Sequence, residues 1–238
     1  MVRGGEGMIL SYENIEHIAA GVAKDFCCAI HAGEKKYEIN IDRLAKAYLG
    51  LEVSYRTLSD DGSVLGVTAY RDAEYAVNAG DVMKIIPLKS NQVLLDRSLA
   101  VFSDNVAGTR RRRFTLAHEC AHQILFQLEA QEGTAACRKP YALCMARRPR
   151  LLRTREDWRE WQANTLGSAL LMPADRLAQA IRELHGELPL AFHDGYPTMR
   201  SQLIIEHLCS RFSVSRAAMT IRLRQLGFIT QNALEVCA

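Results

Sequence analysis

The chain has 238 residues, of which 48% are hydrophobic, and this is enough for a packed core and excludes a mainly disordered protein. Thirty lysines and arginines against 27 aspartates and glutamates leave a net charge of +3, less than a dedicated nucleic-acid-binding domain carries. No apolar run reaches the ~18 residues that span a bilayer, and the first residues lack the apolar core of a signal peptide. We therefore expect a cytoplasmic protein that does not contact a membrane.

The first predicted elements are helices. Residues 1–10, rich in glycine, are expected to form a flexible N-terminus. Ser11 can then cap a helix whose apolar residues recur at helical spacing as far as Phe26. A second helix is predicted over residues 41–49, and Gly50 is its expected end.

Four segments with β-forming residues follow, separated by turn sequences. They cover residues 53–58, 64–70, 82–86 and 93–96. Because the connections between successive segments are too short for crossovers, we expect a small and mostly antiparallel sheet of three or four strands.

The second half of the chain is predicted to be helical. A long helix is expected over residues 109–129, and Thr154 followed by Asp157 has the pattern of a capping box that begins another helix. Residues 131–153 between them contain Gly, Pro, Cys and many Arg without a period, and they are predicted to form a surface insertion. Further helices are predicted at 174–184, 201–212 and 215–226.

Helices, then strands, then helices, without regular β/α alternation, predict an α+β fold. We divide the chain into a flexible stretch (1–10), a core domain (11–173) and a C-terminal helical subdomain (174–238). The subdomain includes a pair of helices, residues 201–226, with the length of a helix-turn-helix.

The sharpest chemical motif is His118-Glu119-Cys120-Ala121-His122, an H-E-x-x-H sequence inside the long predicted helix. Residues four apart share a helix face, so both imidazoles can reach one ion at about 2.0–2.1 Å while Glu119 lies beside them to bind a water. The alternative is a pair of core or solvated histidines. Two histidines and a carboxylate are an odd way to build a core, because each must be desolvated.

A catalytic zinc needs a third protein ligand and an open position for water. Glu160 and Asn164 are four residues apart on a later helix, so Glu160 can bind the metal while the Asn164 amide hydrogen-bonds a ligand histidine. Glu156 and Asp157, one turn earlier, are the alternative third ligands. The predicted ligands of one Zn²⁺ per chain are His118, His122 and Glu160.

These residues predict the chemistry of a metallopeptidase. Zinc would lower the pKa of its bound water from 15.7 towards ~7, and Glu119 would accept the proton and pass it to the leaving amine. An extended substrate is expected to add to a sheet edge along Val93, Leu94 and Leu95, the alternative being an ordinary internal strand. Tyr141, His193 and Tyr196 are candidates for an additional oxyanion donor, and the sequence does not choose among them.

Three motifs in this order resemble the ImmA/IrrE family of zinc metallopeptidases. They are the residues from Arg113 to His122, those from Glu160 to Asn164, and Leu170-Leu171-Met172-Pro173, and the similarity extends over about residues 15–229. The resemblance implies a minimal zincin-like domain in which His118, His122 and Glu160 bind zinc and Glu119 is the base. It also implies cleavage of a helix-turn-helix repressor that controls mobile-element or stress-response genes.

The sequence departs from the family at two places. Cys120-Ala121 stands where Leu-Gly is common, which puts a thiol close to the predicted zinc and would make the site sensitive to oxidation. The insertion over residues 131–153 is long for the family, so we expect substrate selection to be particular to this protein.

Four arginines, residues 110–113, lie where the predicted active-site helix begins, although positive charge there opposes the helix dipole. They are either a solvated basic turn in which Arg113 anchors a carboxylate, or a docking surface for an acidic partner in which Arg113 contacts substrate. The sequence leaves both interpretations open.

Two other classes of function compete with a peptidase. A DNA-binding regulator would use the helix pair 201–226, whose second helix carries Arg216, Arg222 and Arg224. A partner-binding regulator would use zinc without proteolysis. Structural zinc sites usually fill all four positions with Cys and His, whereas two histidines and one glutamate leave a position for water, which favours catalysis.

Overall fold

A computed structural model describes residues 9–29, 36–79, 82–100, 106–128, 154–185 and 188–231. The predictions for residues 1–8 and for the insertion 131–153, including Tyr141, lie outside the described residues. Among the described helices, none has both the length and the hydropathy needed to cross a membrane.

The N-terminal part is helical, as predicted. Helix α1 (Tyr12–Ala29) follows Ser11, whose hydroxyl accepts a hydrogen bond from the backbone of Asn14, and its apolar face is buried. Helix α2 (Ile41–Arg43) is capped by the Asn40 side chain and continues as a π-helical turn, Leu44–Tyr48. The chain then turns at Gly50 with a φ of +66°, which glycine adopts without strain.

Three strands form the sheet that packs against the helix of the H-E-x-x-H motif. They are β1 (Glu52–Arg56), β2 (Gly66–Thr68) and β5 (Gln92–Asp96), in the order β1-β5-β2. A hairpin of β3 (Ala73–Ala79) and β4 (Val82–Leu88) forms a separate sheet, and β3 was not predicted.

The predicted antiparallel pairing is wrong for β1 and β5, which pair in parallel. They are not consecutive strands, and the chain between them includes β2 and the hairpin, which together supply the long connection that a parallel pair requires. The pairs β2/β5 and β3/β4 are antiparallel, as predicted.

Three helices follow in the described chain: α3 (Val106–Leu128), α4 (Arg155–Leu171) and α5 (Ala174–His185). Helix α4 begins with the predicted capping box, in which the Thr154 hydroxyl accepts from the Asp157 amide and the Asp157 carboxylate accepts from the Thr154 amide. This cap fixes the first turn of α4, and α4 packs closely along α3.

The C-terminal part contains a small sheet that was not predicted, because its strands are too short for a clear pattern. Strands β6 (Leu190–His193), β7 (Tyr196–Pro197) and β8 (Ile229–Gln231) pair in the order β7-β6-β8. Between β7 and β8 lie the predicted helices α6 (Met199–Phe212) and α7 (Arg216–Gln225), joined through Ser213 in the left-handed conformation.

One large hydrophobic cluster runs from α1 through α3 and α4 to α7. A smaller cluster lies between the β3/β4 hairpin and the three-stranded sheet. The fold is α+β, as predicted, and the helices α3 and α4 pack against each other at its centre. The division at residue 174 stays a prediction.

Candidate metal centre and active site

Helix α3 carries the H-E-x-x-H residues through the middle of the protein, and every residue from Thr115 to Phe126 is buried. His118 and His122 lie one turn apart on the face that meets α4, and their rings contact edge to face with centroids 4.5 Å apart. Their Nε2 atoms are 3.0 Å apart. Both imidazoles therefore present a nitrogen to the same point.

Glu160 on α4 completes this group. One carboxylate oxygen lies 3.4 Å from Nε2 of His118 and the other lies 3.7 Å from Nε2 of His122. Among the residues that the structure describes, these three form a cluster that could hold a metal ion, because one potential ligand atom from each lies within 4.8 Å of the others. Glu156 is not in this group, and the Asp157 carboxylate accepts from the Thr154 amide at 2.9 Å in the helix cap.

The spacing of the two imidazole nitrogens fits a tetrahedral metal ion. Ligand atoms bound at about 2.0–2.1 Å in a tetrahedron lie about 3.3 Å from one another. The two Nε2 atoms are 3.0 Å apart, and each lies within 3.7 Å of one oxygen of the Glu160 carboxylate. Two imidazoles and one carboxylate are also a donor set that suits zinc and leaves a fourth position for water.

Asn164 orients the first histidine. Its side-chain oxygen lies 3.1 Å from Nδ1 of His118, and because this oxygen can only accept, Nδ1 carries the hydrogen. The lone pair of the imidazole is then on Nε2, which faces His122 and Glu160. The four-residue spacing of Glu160 and Asn164 thus brings both side chains to the same place.

Residues 101–224, more than half of the chain, match the family profile of the IrrE N-terminal-like domain, peptidase family M78. The chain belongs to this family of metallopeptidases. No curated protein gives a significant match to the chain.

Glu119, the predicted base, is 2% exposed. Its side chain extends towards β2, where the Cα of Gly66 faces it. Gln123, one turn further along α3, donates through Nε2 to the Thr68 hydroxyl at 2.6 Å and to the Ala69 carbonyl at 2.9 Å. The helix and the strand next to the site are therefore held together by side chains of the helix itself.

Cys120, which lies between the two histidines in the sequence, is fully buried in the core of the IrrE-like domain. Burial raises the pKa of the Cys120 thiol, so the reactive thiolate is disfavoured. The environment of Cys120 therefore does not support the expected sensitivity of the site to oxidation.

A small recess of about 20 Å³, little more than one water molecule needs, opens beside His122. Tyr70 and Phe126 line it with their ring centroids 4.3 Å apart in a stacked arrangement, and Arg159 also lines it. These residues carry no sequence motif, and only the fold brings them next to a metal ligand.

The predicted substrate strand is wrong. Val93, Leu94 and Leu95 are buried in β5, which lies between β1 and β2 and has a paired strand on each side. A peptide cannot add to a strand whose two edges are already paired. In the part of the chain that the structure describes, β1 and β2 are the two edge strands of this sheet, and β2 packs against α3.

Most of the basic residues 110–113 bind other residues of the same chain. The Arg113 guanidinium is buried, 2.9 Å from the Glu38 carboxylate, and donates to the Ile39 carbonyl. Arg112 pairs with Asp42, and this hydrogen bond lowers the pKa of the Asp42 carboxyl. Arg113 thus binds a carboxylate of its own chain, as one of the two interpretations expected. Its contact with substrate stays a prediction.

The other predicted donors and the arginines of the helix pair lie in the C-terminal part of the chain. His193 and Tyr196 pair with each other in the β6/β7 hairpin, which packs on α6. On α7, Arg222 is completely buried and so cannot contact DNA, while Arg224 donates to the Gly195 carbonyl at 3.2 Å. Arg216 is exposed and lies 3.9 Å from Glu206.

Proposed function

We propose that this M78 family member is a zinc-dependent endopeptidase that cleaves a helix-turn-helix transcriptional repressor in the cytoplasm and so derepresses mobile-element or stress-response genes. The observation that carries the enzymatic part is the convergence of His118, His122 and Glu160, with Glu119 next to them on α3. The family match supports a metallopeptidase. The repressor as substrate rests on the resemblance of the three sequence motifs to the ImmA/IrrE family.

In this proposal, His118, His122 and Glu160 hold the zinc. When bound, the ion lowers the pKa of a coordinated water and polarises the peptide carbonyl. Glu119 accepts a proton at its carboxylate and returns it to the leaving amine. Asn164 keeps the hydrogen of His118 on Nδ1, so that Nε2 stays available.

The buried setting of these groups supports catalysis over simple zinc storage. Glu160 has only 13% of its side chain exposed, and both histidines are more buried than this. Electrostatic effects on a reacting carbonyl are stronger where water is excluded. A protease that acts in the cytoplasm must also be selective, and we propose that docking outside the metal site provides this selectivity.

Incubation of the zinc-loaded protein with the helix-turn-helix repressor encoded nearest to its gene tests the proposal, with casein as a general substrate and mass spectrometry to identify the products. We expect a single cut in the repressor, no cut with Glu119→Gln, and normal cutting with Glu156→Gln, which removes a carboxylate outside the metal group. Rapid digestion of casein at many sites would contradict repressor specificity. An intact repressor combined with salt-sensitive DNA binding by the protein would favour a DNA-binding regulator.

A further inference from the structure

A glycine on the neighbouring strand makes an unusually close approach to the predicted base. A Cβ atom built on Gly66 would lie 2.5 Å from Oε1 of Glu119 and 3.0 Å from its Cγ and Cδ. Such distances are shorter than van der Waals contact. The space that a side chain on residue 66 would fill is therefore occupied by the Glu119 carboxylate.

Strand β2 cannot move away to make room. Gly66 pairs with Leu95 in the antiparallel ladder, and the Asp96 amide donates to the Leu65 carbonyl at 2.8 Å just beside it. From the other side, Gln123 of α3 donates to Thr68 and Ala69. The ladder holds β2 against β5, and the Gln123 bonds fix its distance from α3.

The two partners in this contact differ in how easily they move. Residue 66 belongs to the backbone of a paired strand, whereas Oε1 is the end of a flexible side chain. A side chain at residue 66 would thus turn the carboxylate away and leave the strand in place. This differs from Gly167 on α4, where a Cβ would meet the backbone of Ala117 and His118 at 3.1 Å.

We propose, on the basis of the function proposed above, that Gly66 is a positioning residue of the peptidase. Its bare Cα leaves room for the Glu119 carboxylate in the one orientation from which it can exchange a proton with the reacting groups. Glycine within a strand often marks such a close approach. In this role Gly66 acts only through Glu119.

The test combines Gly66→Ala and Glu119→Asp singly and together, with Gly21→Ala on α1 as a control, because a Cβ on Gly21 would meet nothing within 4 Å. We expect Gly66→Ala to keep its zinc and its Tm. Its kcat should fall by roughly 10²-fold, because a misplacement of about 1 Å can cost this much. Gly21→Ala should cleave at the wild-type rate.

The double variant separates positioning from general damage. Aspartate is one methylene shorter, so its carboxylate does not reach the Oε1 position that lies 2.5 Å from the added Cβ. In the Glu119→Asp background, Gly66→Ala should therefore change kcat by less than roughly threefold, since contacting residues act non-additively. An equal loss of kcat in both backgrounds would overturn the proposal, as would a loss of zinc or of Tm in Gly66→Ala.

A crystal structure of zinc-loaded Gly66→Ala supplies a test that does not depend on activity. The proposal expects β2 unmoved and the Glu119 carboxylate rotated away from the new Cβ. A shifted strand with an unmoved carboxylate would overturn it. If the wild type cleaves nothing, the proposed function fails, and the position of the carboxylate still decides whether Gly66 controls it.

Discussion

A carboxylate one residue after a metal-ligand histidine can act as a base without binding the metal. Glu119→Gln keeps the size of the side chain and removes its ability to accept a proton. We expect this variant to hold zinc and fold as the wild type does, and to cleave at least ~10²-fold more slowly, which is the low end of what a positioned base contributes. Cleavage rates under single-turnover conditions, normalised to zinc content, would measure this effect. Wild-type rates in the zinc-loaded variant would remove Glu119 from the mechanism.

At the scale of single residues, the sequence predicts a contact when the two residues are close in the chain. The helical period alone brings His118 and His122 together, and it also brings Glu160 and Asn164 together. The contact between Gly66 and Glu119 joins residues far apart in the chain, and no local period predicts it. A glycine inside the apolar segment 64–70 was the available signal, because glycine in a strand indicates a bulge or a close approach.

At the scale of elements, Gln123 joins helix α3 to strand β2 and the residue that follows it. Gln123→Ala would leave the Thr68 hydroxyl and the Ala69 carbonyl without their buried donor. We expect a loss of about 1–3 kcal/mol in the free energy of unfolding, which is the range for an unsatisfied buried polar group. Urea unfolding measures it, with Gln202→Ala as control, because the hydrogen bond from Gln202 to Glu206 is exposed to solvent. Equal stability of the two variants would contradict a role for Gln123 in holding β2.

Helix α5 is joined to the chain before α2 and to α6 through one carboxylate. Glu183 accepts from Lys36 at 2.6 Å, from the Tyr37 hydroxyl and from Arg211 at 3.3 Å. The hydrogen bond from Lys36, followed by that from Tyr37, lowers the pKa of Glu183 from 4.5 to about 2. Its contribution to stability is therefore complete above the ordinary pKa and is lost as the pH falls through the lower one.

Melting temperatures recorded from neutral to acid pH check this linkage. We expect Glu183→Gln to lower the Tm slightly at neutral pH, because Glu183 is exposed and solvent screens its ion pairs. The difference between wild type and variant should shrink as the pH falls from 4.5 towards 2. A Tm difference that grows as the pH falls would contradict a stabilising role for the ionised Glu183.

Strand pairing was the least predictable feature of the elements. The segment around Val93 has the apolar run of a buried strand, and β5 is buried. Whether such a strand lies at an edge or in the centre depends on which non-consecutive strands pair with it. The parallel pairing with β1 placed β5 in the centre, and this removed it as a substrate edge.

At the scale of the whole molecule, one buried ion pair ties the C-terminal helices to the first helix. The Arg222 guanidinium, fully buried on α7, binds both carboxylate oxygens of Glu16 on α1 and donates to the Met172 carbonyl at the end of α4. Met172 belongs to the third family motif. The C-terminal helices thus support the end of the helix that carries Glu160.

Removal of one partner should show how much this ion pair contributes to stability. Glu16→Ala leaves the Arg222 charge buried without its carboxylate, and we expect a loss of about 3–5 kcal/mol in the free energy of unfolding. The exposed pair of Arg216 and Glu206 is the control, because Arg216→Ala should cost no more than about 1 kcal/mol. Urea unfolding at neutral pH measures both. Losses of the same size would contradict a structural role for Arg222 greater than that of a surface arginine.

The overall order of helices, strands and helices, and hence the α+β class, could be predicted from the hydrophobic period and the capping residues. Ser215 begins α7 and Gly227 follows its end, as their sequence positions indicate. The burial of Arg222 could not be predicted, because its partner Glu16 is at the other end of the chain. An arginine on a helix-turn-helix pattern has the same appearance whether it contacts DNA or the protein core.

The central claim is that His118, His122 and Glu160 form one metal centre. Metal content per chain, measured by elemental mass spectrometry on the purified protein and on Glu160→Ala and Glu156→Ala, tests it most directly. We predict one zinc per chain in the wild type and in Glu156→Ala, and at least roughly tenfold weaker zinc binding in Glu160→Ala, since losses outside the ligand set already reach 10–100-fold. Full zinc in Glu160→Ala together with its loss in Glu156→Ala would contradict the claim.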